Sequence, residues 1–193
     1  PGCCARKCCQ ESVEEMKTII QPVIRFEKFS RKQLQAFTWW CKESPYSEYN
    51  GIIADGSIRA GKTVAMAISF ILWAMSTYDR QNFAMCGKTV GAFRRNVWNW
   101  LKPVLLTRGY KISESHSSNT VIVEGSRATN YFYFFGGRDE SSQDLIQGMT
   151  LAGLYCDEVA LMPESFVNQA TGRCSIPGAK IWFNCNPESP MHW

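Results

Sequence analysis

Gly56-Ser-Ile-Arg-Ala-Gly-Lys-Thr63 decides the fold, because it matches G-x4-G-K-[ST] in full. It follows a short apolar run, Gly51-Ile-Ile-Ala-Asp55, and opens the stretch Lys62 to Thr77, which is apolar from Val64 to Trp73 apart from Ser69. A short apolar run bounded by turn residues reads as a buried strand. A long run that is apolar nearly all round reads as a helix buried on most sides. Strand, glycine-rich turn and helix are the setting the motif requires. Backbone N–H groups of such a turn, and the positive end of the helix behind it, face the charge of a triphosphate. Gly56, Ser57, Ile58, Arg59, Ala60, Gly61, Lys62 and Thr63 are therefore the expected nucleotide-binding set. Lys62 is expected to reach the β- and γ-phosphates, and Thr63 to offer its hydroxyl to Mg²⁺. A glycine-rich turn that binds nothing is the plain alternative. Arg59, inside the turn, either stabilises charge on the γ-phosphate or is a solvated side chain that only adds positive field.

Working outward, Asn82 to Cys86, Leu151 to Cys156 and Lys180 to Asn184 read as further strands, and Val90 to Leu106 as a helix carrying Arg94, Arg95 and Lys102. Those three cations could track nucleic-acid phosphates, but a solvated helix face is the plainer reading. Tyr110 to Phe135 alternates in short β-prone runs and reads as hairpin-like strands. A helix is expected from near Pro163. Upstream, Ser30 and Gln33 fit a capping box opening a helix over Arg31 to Cys41, and Glu11 to Ile20 reads as a short helix stopped by Pro22. Strands alternating with helices define an α/β, three-layer fold with a mostly parallel central sheet. The Tyr110–Phe135 stretch is expected to add antiparallel strands at one edge.

Leu151-Ala-Gly-Leu-Tyr-Cys-Asp-Glu158 is an apolar strand ending in two carboxylates. A strand tip puts Asp157 at the sheet edge that carries the P-loop, where it can hold Mg²⁺ through its water shell. Side chains alternate along a strand, so Glu158 points elsewhere and can act as general base on the attacking water. Strands often end in solvated acids, and the intact P-loop upstream is what gives this pair its meaning. Asn184 and Asn186, in Lys180-Ile-Trp-Phe-Asn-Cys-Asn-Pro187, are either γ-phosphate sensors that move the following segment or plain turn chemistry. Phe29-Ser-Arg-Lys-Gln33 is either an ordinary helix start or an adenine reader, with the Gln33 amide on the base edge.

Composition narrows the class without choosing a partner. Of 193 residues 45% are hydrophobic and 20% charged, which excludes a disordered or fibrous chain. The net charge of +4 permits contact with DNA but is far below that of a duplex-coating protein. The longest apolar stretch, Val64 to Met75, is shorter than the ~20 residues a bilayer span needs, so no membrane role is expected. Nor does the N-terminus show the basic start and apolar run of a signal peptide. Cys3, Cys4, Cys8 and Cys9 crowd the first ten residues, and 1–25 reads as a reduced, Cys-rich leader with a short helix; a metal clamp from these thiols is the less favoured alternative, because adjacent pairs lack zinc-site spacing. Cys86, Cys156 and Cys185 read as small buried hydrophobes of a protein in a reducing cytoplasm. Residues 26–193 read as one domain.

Taken together, Asp55 to Thr63, Gln147-Gly-Met-Thr150 running into Leu154-Tyr-Cys-Asp-Glu-Val159, and Asn184-Cys-Asn-Pro-Glu-Ser-Pro-Met-His-Trp193 resemble the ATPase domain of phage terminase large subunits, especially the PBSX-like branch. The resemblance runs from Phe29 to Trp193. It implies a RecA-like (ASCE) P-loop ATPase using ATP and Mg²⁺, with Lys62 and Arg59 as charge stabilisers and Glu158 as catalytic base. It implies that Asn184 and Asn186 couple hydrolysis to movement and that Gln33 meets adenine. It implies a homo-oligomeric ring at the portal vertex of a procapsid, pumping double-stranded DNA in the host cytoplasm with a terminase small subunit, although the isolated chain could be a monomer. Such a ring supplies an arginine finger in trans, for which Arg138 is the first candidate and Arg127 the second. These motors carry a second, nuclease domain with clustered acidic metal ligands. It has no counterpart in this sequence, so DNA cleavage is not expected of this chain alone. A RecA-like helicase or remodelling ATPase is the alternative enzyme, and a nucleotide-responsive assembly module with negligible hydrolysis the alternative of another class.

Overall fold

A computed structural model describes residues 28–57, 59–138, 144 and 146–186. The leader, the short helix expected from Glu11 to Ile20, Ile58 and the residues after Asn186 lie outside the described residues. Helix α1 (Arg31–Thr38) opens on the expected capping box, with Ser30 and Gln33 exchanging side-chain and backbone hydrogen bonds. Strand β1 (Gly51–Asp55) leads through the glycine-rich turn into α2 (Lys62–Thr77). Strand β2 (Asn82–Gly87) follows.

The helix expected over Val90 to Leu106 comes in three parts. Helix α3 (Val90–Phe93) widens into a π-helical turn (Arg94–Trp98) before α4 (Asn99–Thr107) resumes α geometry. Strands β3 (Lys111–Ser115), β4 (Thr120–Glu124) and β5 (Thr129–Gly136) come next. Strand β6 (Gly153–Cys156), a 3-10 turn (Val159–Leu161), α5 (Glu164–Gly172) and β7 (Lys180–Cys185) complete the order.

All seven strands form one sheet in the order β1-β7-β6-β2-β5-β4-β3. β1, β7, β6, β2 and β5 are mutually parallel, while β3 and β4 pair antiparallel at the far edge. The mixed sheet was expected, but β5 corrects the reading of Tyr110–Phe135 as edge insertion. It turns back on β4 as a hairpin does, yet its other side pairs with β2 in parallel, Asn82 facing Tyr131 and Gly87 facing Gly136. β5 is therefore the fifth strand of the parallel core.

Side-chain alternation on the inner strands divides the apolar residues between two faces, as a sheet covered on both sides demands. Phe83, Met85, Tyr155 and Trp182 point toward α2, α3 and α4 and join Phe70, Trp73, Phe93 and Trp98 in the larger core. Ala84, Cys86, Leu154 and Cys156 point the other way, against Phe166, Val167 and Ala170 of α5. Phe70 lies at the centre of the larger core, with its ring 5.3 Å from Trp182, 5.8 Å from Phe83 and 6.0 Å from Tyr155. Aromatic pairs at these spacings contribute beyond their buried area. Among the described residues no helix is long and apolar enough to cross a membrane.

Of the three cations expected on a solvated helix face, Arg95 is exposed and Lys102 partly so, but Arg94 is not. Glu114 of β3 accepts Arg94 Nη1 at 3.0 Å and Lys102 Nζ at 2.6 Å, and the Arg94 guanidinium lies 4.9 Å from the Phe134 ring centre. Their side chains are 15%, 42% and 12% exposed for Arg94, Lys102 and Glu114, so the cluster pins the antiparallel edge to the helical layer. Burial pushes the Glu114 carboxyl up, but hydrogen bonds from Lys102, Trp98 and Arg94 outweigh it and hold the group below its ordinary value. A depressed folded value gives stability that is present above the unfolded carboxylate range and lost as pH falls through the folded one. Glu114→Gln is expected to lower stability by about 2 kcal/mol at neutral pH. The gap to the native chain should narrow as pH drops below about 4, and urea unfolding across that window measures both.

Candidate nucleotide site

The five parallel strands end at one edge of the sheet, and β7 lies between β1 and β6. That order gathers the site. The turn after β1, the acids after β6 and the amides at the end of β7 must meet there, with the β7 tip in the middle. A cavity of about 290 Å³ opens at this point, lined by Arg59, Lys62, Thr63, Glu158, Asn184 and Asn186 among others. A larger groove of about 760 Å³ runs between α1 and β1 and reaches the turn at Gly56, Ser57 and Ala60. The smaller cavity is where the ionisable groups converge.

The turn is shaped by two left-handed residues, Arg59 at φ 65° and Gly61 at φ 72°. The positive φ is what favours glycine at 61, and a Cβ there, 2.5 Å from Gln33 Nε2, would also displace the end of that side chain. Lys62 folds back over its own loop. Its ammonium donates to Gly56 O at 2.6 Å, to Ser57 O at 2.8 Å and to Asn186 Oδ1 at 3.1 Å, which uses all three of its protons. Arg59 is exposed on the rim.

Asp157, 6% exposed, draws three donors to one oxygen: Thr63 Oγ1 at 3.1 Å, Tyr155 OH at 3.0 Å and Asn184 Nδ2 at 2.7 Å. Asn184, 2% exposed, is the hub. Its Nδ2 also donates to Tyr155 OH at 3.0 Å and Thr63 Oγ1 at 3.4 Å, while its Oδ1 accepts the Glu158 backbone N–H at 2.7 Å. Glu158 sits at φ 56°, ψ 52°, a left-handed conformation that costs a non-glycine residue about 1–3 kcal/mol. The bond from Asn184 to its backbone N–H holds it there, past the end of β6, so the strand alternation expected to aim its side chain does not extend to it. Burial, then the Asp157 charge and the hydrogen bond to it, push the Tyr155 phenol well above its ordinary value, so it stays a proton donor.

The two asparagines therefore do different things. Asn184 is a buried strand residue that organises both acids, whereas Asn186 lies past the strand end and touches Lys62 alone among the described residues. Gln33 meets the loop rather than open solvent: its Nε2 donates to Ala60 O at 2.8 Å and its Oε1 accepts Ser30 N–H at 2.8 Å. Arg138 is exposed just past β5, on the same sheet edge as the cavity but four strands from β1, roughly 19 Å at ordinary strand spacing. Arg127 precedes β5 and so lies toward the opposite edge. Asp139 and Glu140 are outside the described residues.

Tyr155 is the site residue that sequence reading passed over. It stands on β6 two residues before Asp157, which lies just past the strand end, and an i, i+2 spacing that brings the two side chains to one side was the available signal.

A P-loop between strand and helix, an acid tip two strands away and a polar strand tip between them define a RecA-like P-loop NTPase fold. The chain belongs to the family described as terminase large subunit, T4likevirus-type, N-terminal, whose model matches residues 53–193. The large terminase from a thermophilic bacteriophage is 61% identical with a TM-score of 0.83, over 86% of this chain and 41% of that one. The same terminase has been solved with ADP (60% identity, TM-score 0.82, 86% and 40% covered) and with ATP-gamma-S (57%, 0.80, 86% and 40%). This chain thus spans about two fifths of the length of that relative. The ATPase domain of the Thermus phage P74-26 large terminase, at 14% identity and TM-score 0.54 over 72% of this chain and 60% of that one, shares the fold. A comparison with curated protein sequences gives no match.

Proposed function

We propose that residues 26–193 are the ATP-hydrolysing motor domain of a phage DNA-packaging terminase. The observation that carries this reading is the convergence of Lys62, Thr63, Glu158 and Asn184 on one cavity, with the buried Asp157 bonded to Thr63 and Asn184 behind it. The 61%-identical phage terminase, solved with ADP and with ATP-gamma-S, supports a nucleotide as the occupant.

Thr63 and Asp157 bring a hydroxyl and a carboxylate oxygen to within 3.1 Å, the hard oxygen set that suits Mg²⁺. When bound there, Mg²⁺ would neutralise charge on the β- and γ-phosphate oxygens. Lys62 leaves its carbonyl partners and Asn186 for the γ-phosphate. Glu158, held by its backbone, accepts the proton of the water whose oxygen bonds to the γ-phosphorus as the bond to the ADP oxygen breaks. Arg59 on the rim adds positive charge where it develops. Release of Asn186 by Lys62 frees the segment that follows β7, and this links nucleotide state to movement. Gln33 braces the loop from outside, beside the groove that fits a nucleoside.

Double-stranded DNA, a small terminase subunit and the procapsid portal are the proposed partners, met in the host cytoplasm by a ring of these subunits. The position of Arg138, exposed on the same sheet edge as the cavity and outside its lining, suits a finger offered to a neighbour. ATPase rate measured against protein concentration, with and without portal-bearing procapsids, tests the proposal. Turnover per subunit should rise with concentration and rise again with procapsids. A chain that never hydrolyses ATP under any of these conditions is not this motor.

A further inference from the structure

We infer that Tyr155 is a positioning residue of the nucleotide site, its hydroxyl fixing the Asp157 carboxylate and the Asn184 amide in working orientation. This rests on the nucleotide reading above and adds to it a residue that never touches the nucleotide.

The ring of Tyr155 has no need of its oxygen. It is wholly buried among aromatics, 6.0 Å from the Phe70 ring and 6.2 Å from that of Phe93, and phenylalanine would pack there equally well. A hydroxyl in such surroundings is a desolvation burden unless it is paired. Here it is paired twice, donating to Asp157 Oδ1 at 3.0 Å and accepting from Asn184 Nδ2 at 3.0 Å. With the 2.7 Å bond from Asn184 to Asp157, the three side chains close a triangle.

Each side of the triangle removes a freedom the site must not have. The phenol is anchored by the core, so its proton fixes where the carboxylate oxygen sits, and hence where Thr63 and a cation held with it sit. Its lone pair selects the nitrogen end of the Asn184 amide. A flipped amide would set Oδ1 against both the phenol oxygen and the carboxylate, and would turn N–H groups on the Glu158 N–H. The hydroxyl therefore acts through Asn184 on the left-handed backbone of Glu158 as well as directly on Asp157. Networks of this kind are worth more than their separate bonds.

Tyr155→Phe deletes the oxygen and leaves the ring. Four measurements on wild type and variant decide the matter: thermal melting, exchange of the Glu158 amide proton in the nucleotide-free chain, affinity for a fluorescent ADP analogue in EDTA and across a Mg²⁺ titration, and kcat with KM for ATP. The expected variant melts cooperatively, exchanges the Glu158 amide at least about threefold faster, and binds the analogue in EDTA as wild type does. It needs about 3–10-fold more Mg²⁺ for half-maximal tightening and loses about tenfold in kcat with little change in KM. Wild-type amide exchange, Mg²⁺ requirement and turnover in Tyr155→Phe overturn the inference. So does loss of cooperative melting, which assigns the hydroxyl to the core. A wild-type chain that binds no analogue, with or without Mg²⁺, overturns the nucleotide reading itself, before the variant is considered.

Discussion

Glu158→Gln is expected to cut ATP turnover by about 10²–10⁴-fold, the range a lost general base produces. ATP binding should stay within about twofold of wild type. The separation arises because the side chain enters the reaction while its backbone serves the architecture. The left-handed backbone of Glu158 is held by Asn184 through the main-chain N–H, and glutamine keeps that bond. What glutamine removes is the group that takes the water's proton. Single-turnover hydrolysis alongside nucleotide affinity checks both halves. Turnover equal to wild type would withdraw the base assignment and leave the phosphate cradle standing.

Asn184→Ala should damage more than one thing at once. The amide supplies donors to Asp157, Tyr155 and Thr63 and the acceptor for the Glu158 N–H. Its loss strips a buried carboxylate of its shortest donor and leaves a main-chain N–H without its partner, a loss of about 1–3 kcal/mol in stability. Glu158 also loses what holds it in an unfavoured conformation, and a misplacement of about 1 Å is enough to cost 10²-fold in rate. A turnover loss of about 10²-fold or more is therefore expected, together with weaker Mg²⁺-dependent binding. Chemical denaturation and steady-state kinetics on the same preparation measure the two effects. A variant with native stability and native turnover would show that Asn184 is only strand chemistry.

The parts of the fold that were legible in the sequence were those written in local pattern. α2 spans Lys62–Thr77, as its long apolar run, interrupted by Ser69 alone, and the glycine before it implied, and the strand tips at Asp157 and Asn184 lie at the expected edge. β5 was misjudged because a short turn joins it to β4, and local sequence shows the hairpin while hiding the parallel partner reached from β2. Arg94 looked solvated because its partner is Glu114, on a strand whose packing no periodicity reveals. The π-helical turn beneath it left no mark either, since its residues suit an ordinary helix. Tyr155 was visible as a strand aromatic, but only the fold shows what its oxygen meets.

The bond from Gln33 to Ala60 has a mechanical meaning. The amide that caps the first turn of α1 also grips the triphosphate loop, across 27 residues of chain. One side chain thus ties the start of α1 to the loop, so fraying of that helix end and release of Ala60 are linked through it. A base that claimed this amide would first have to prise it from one of its two holds, so selectivity for the nucleobase and slackness of the loop would vary together.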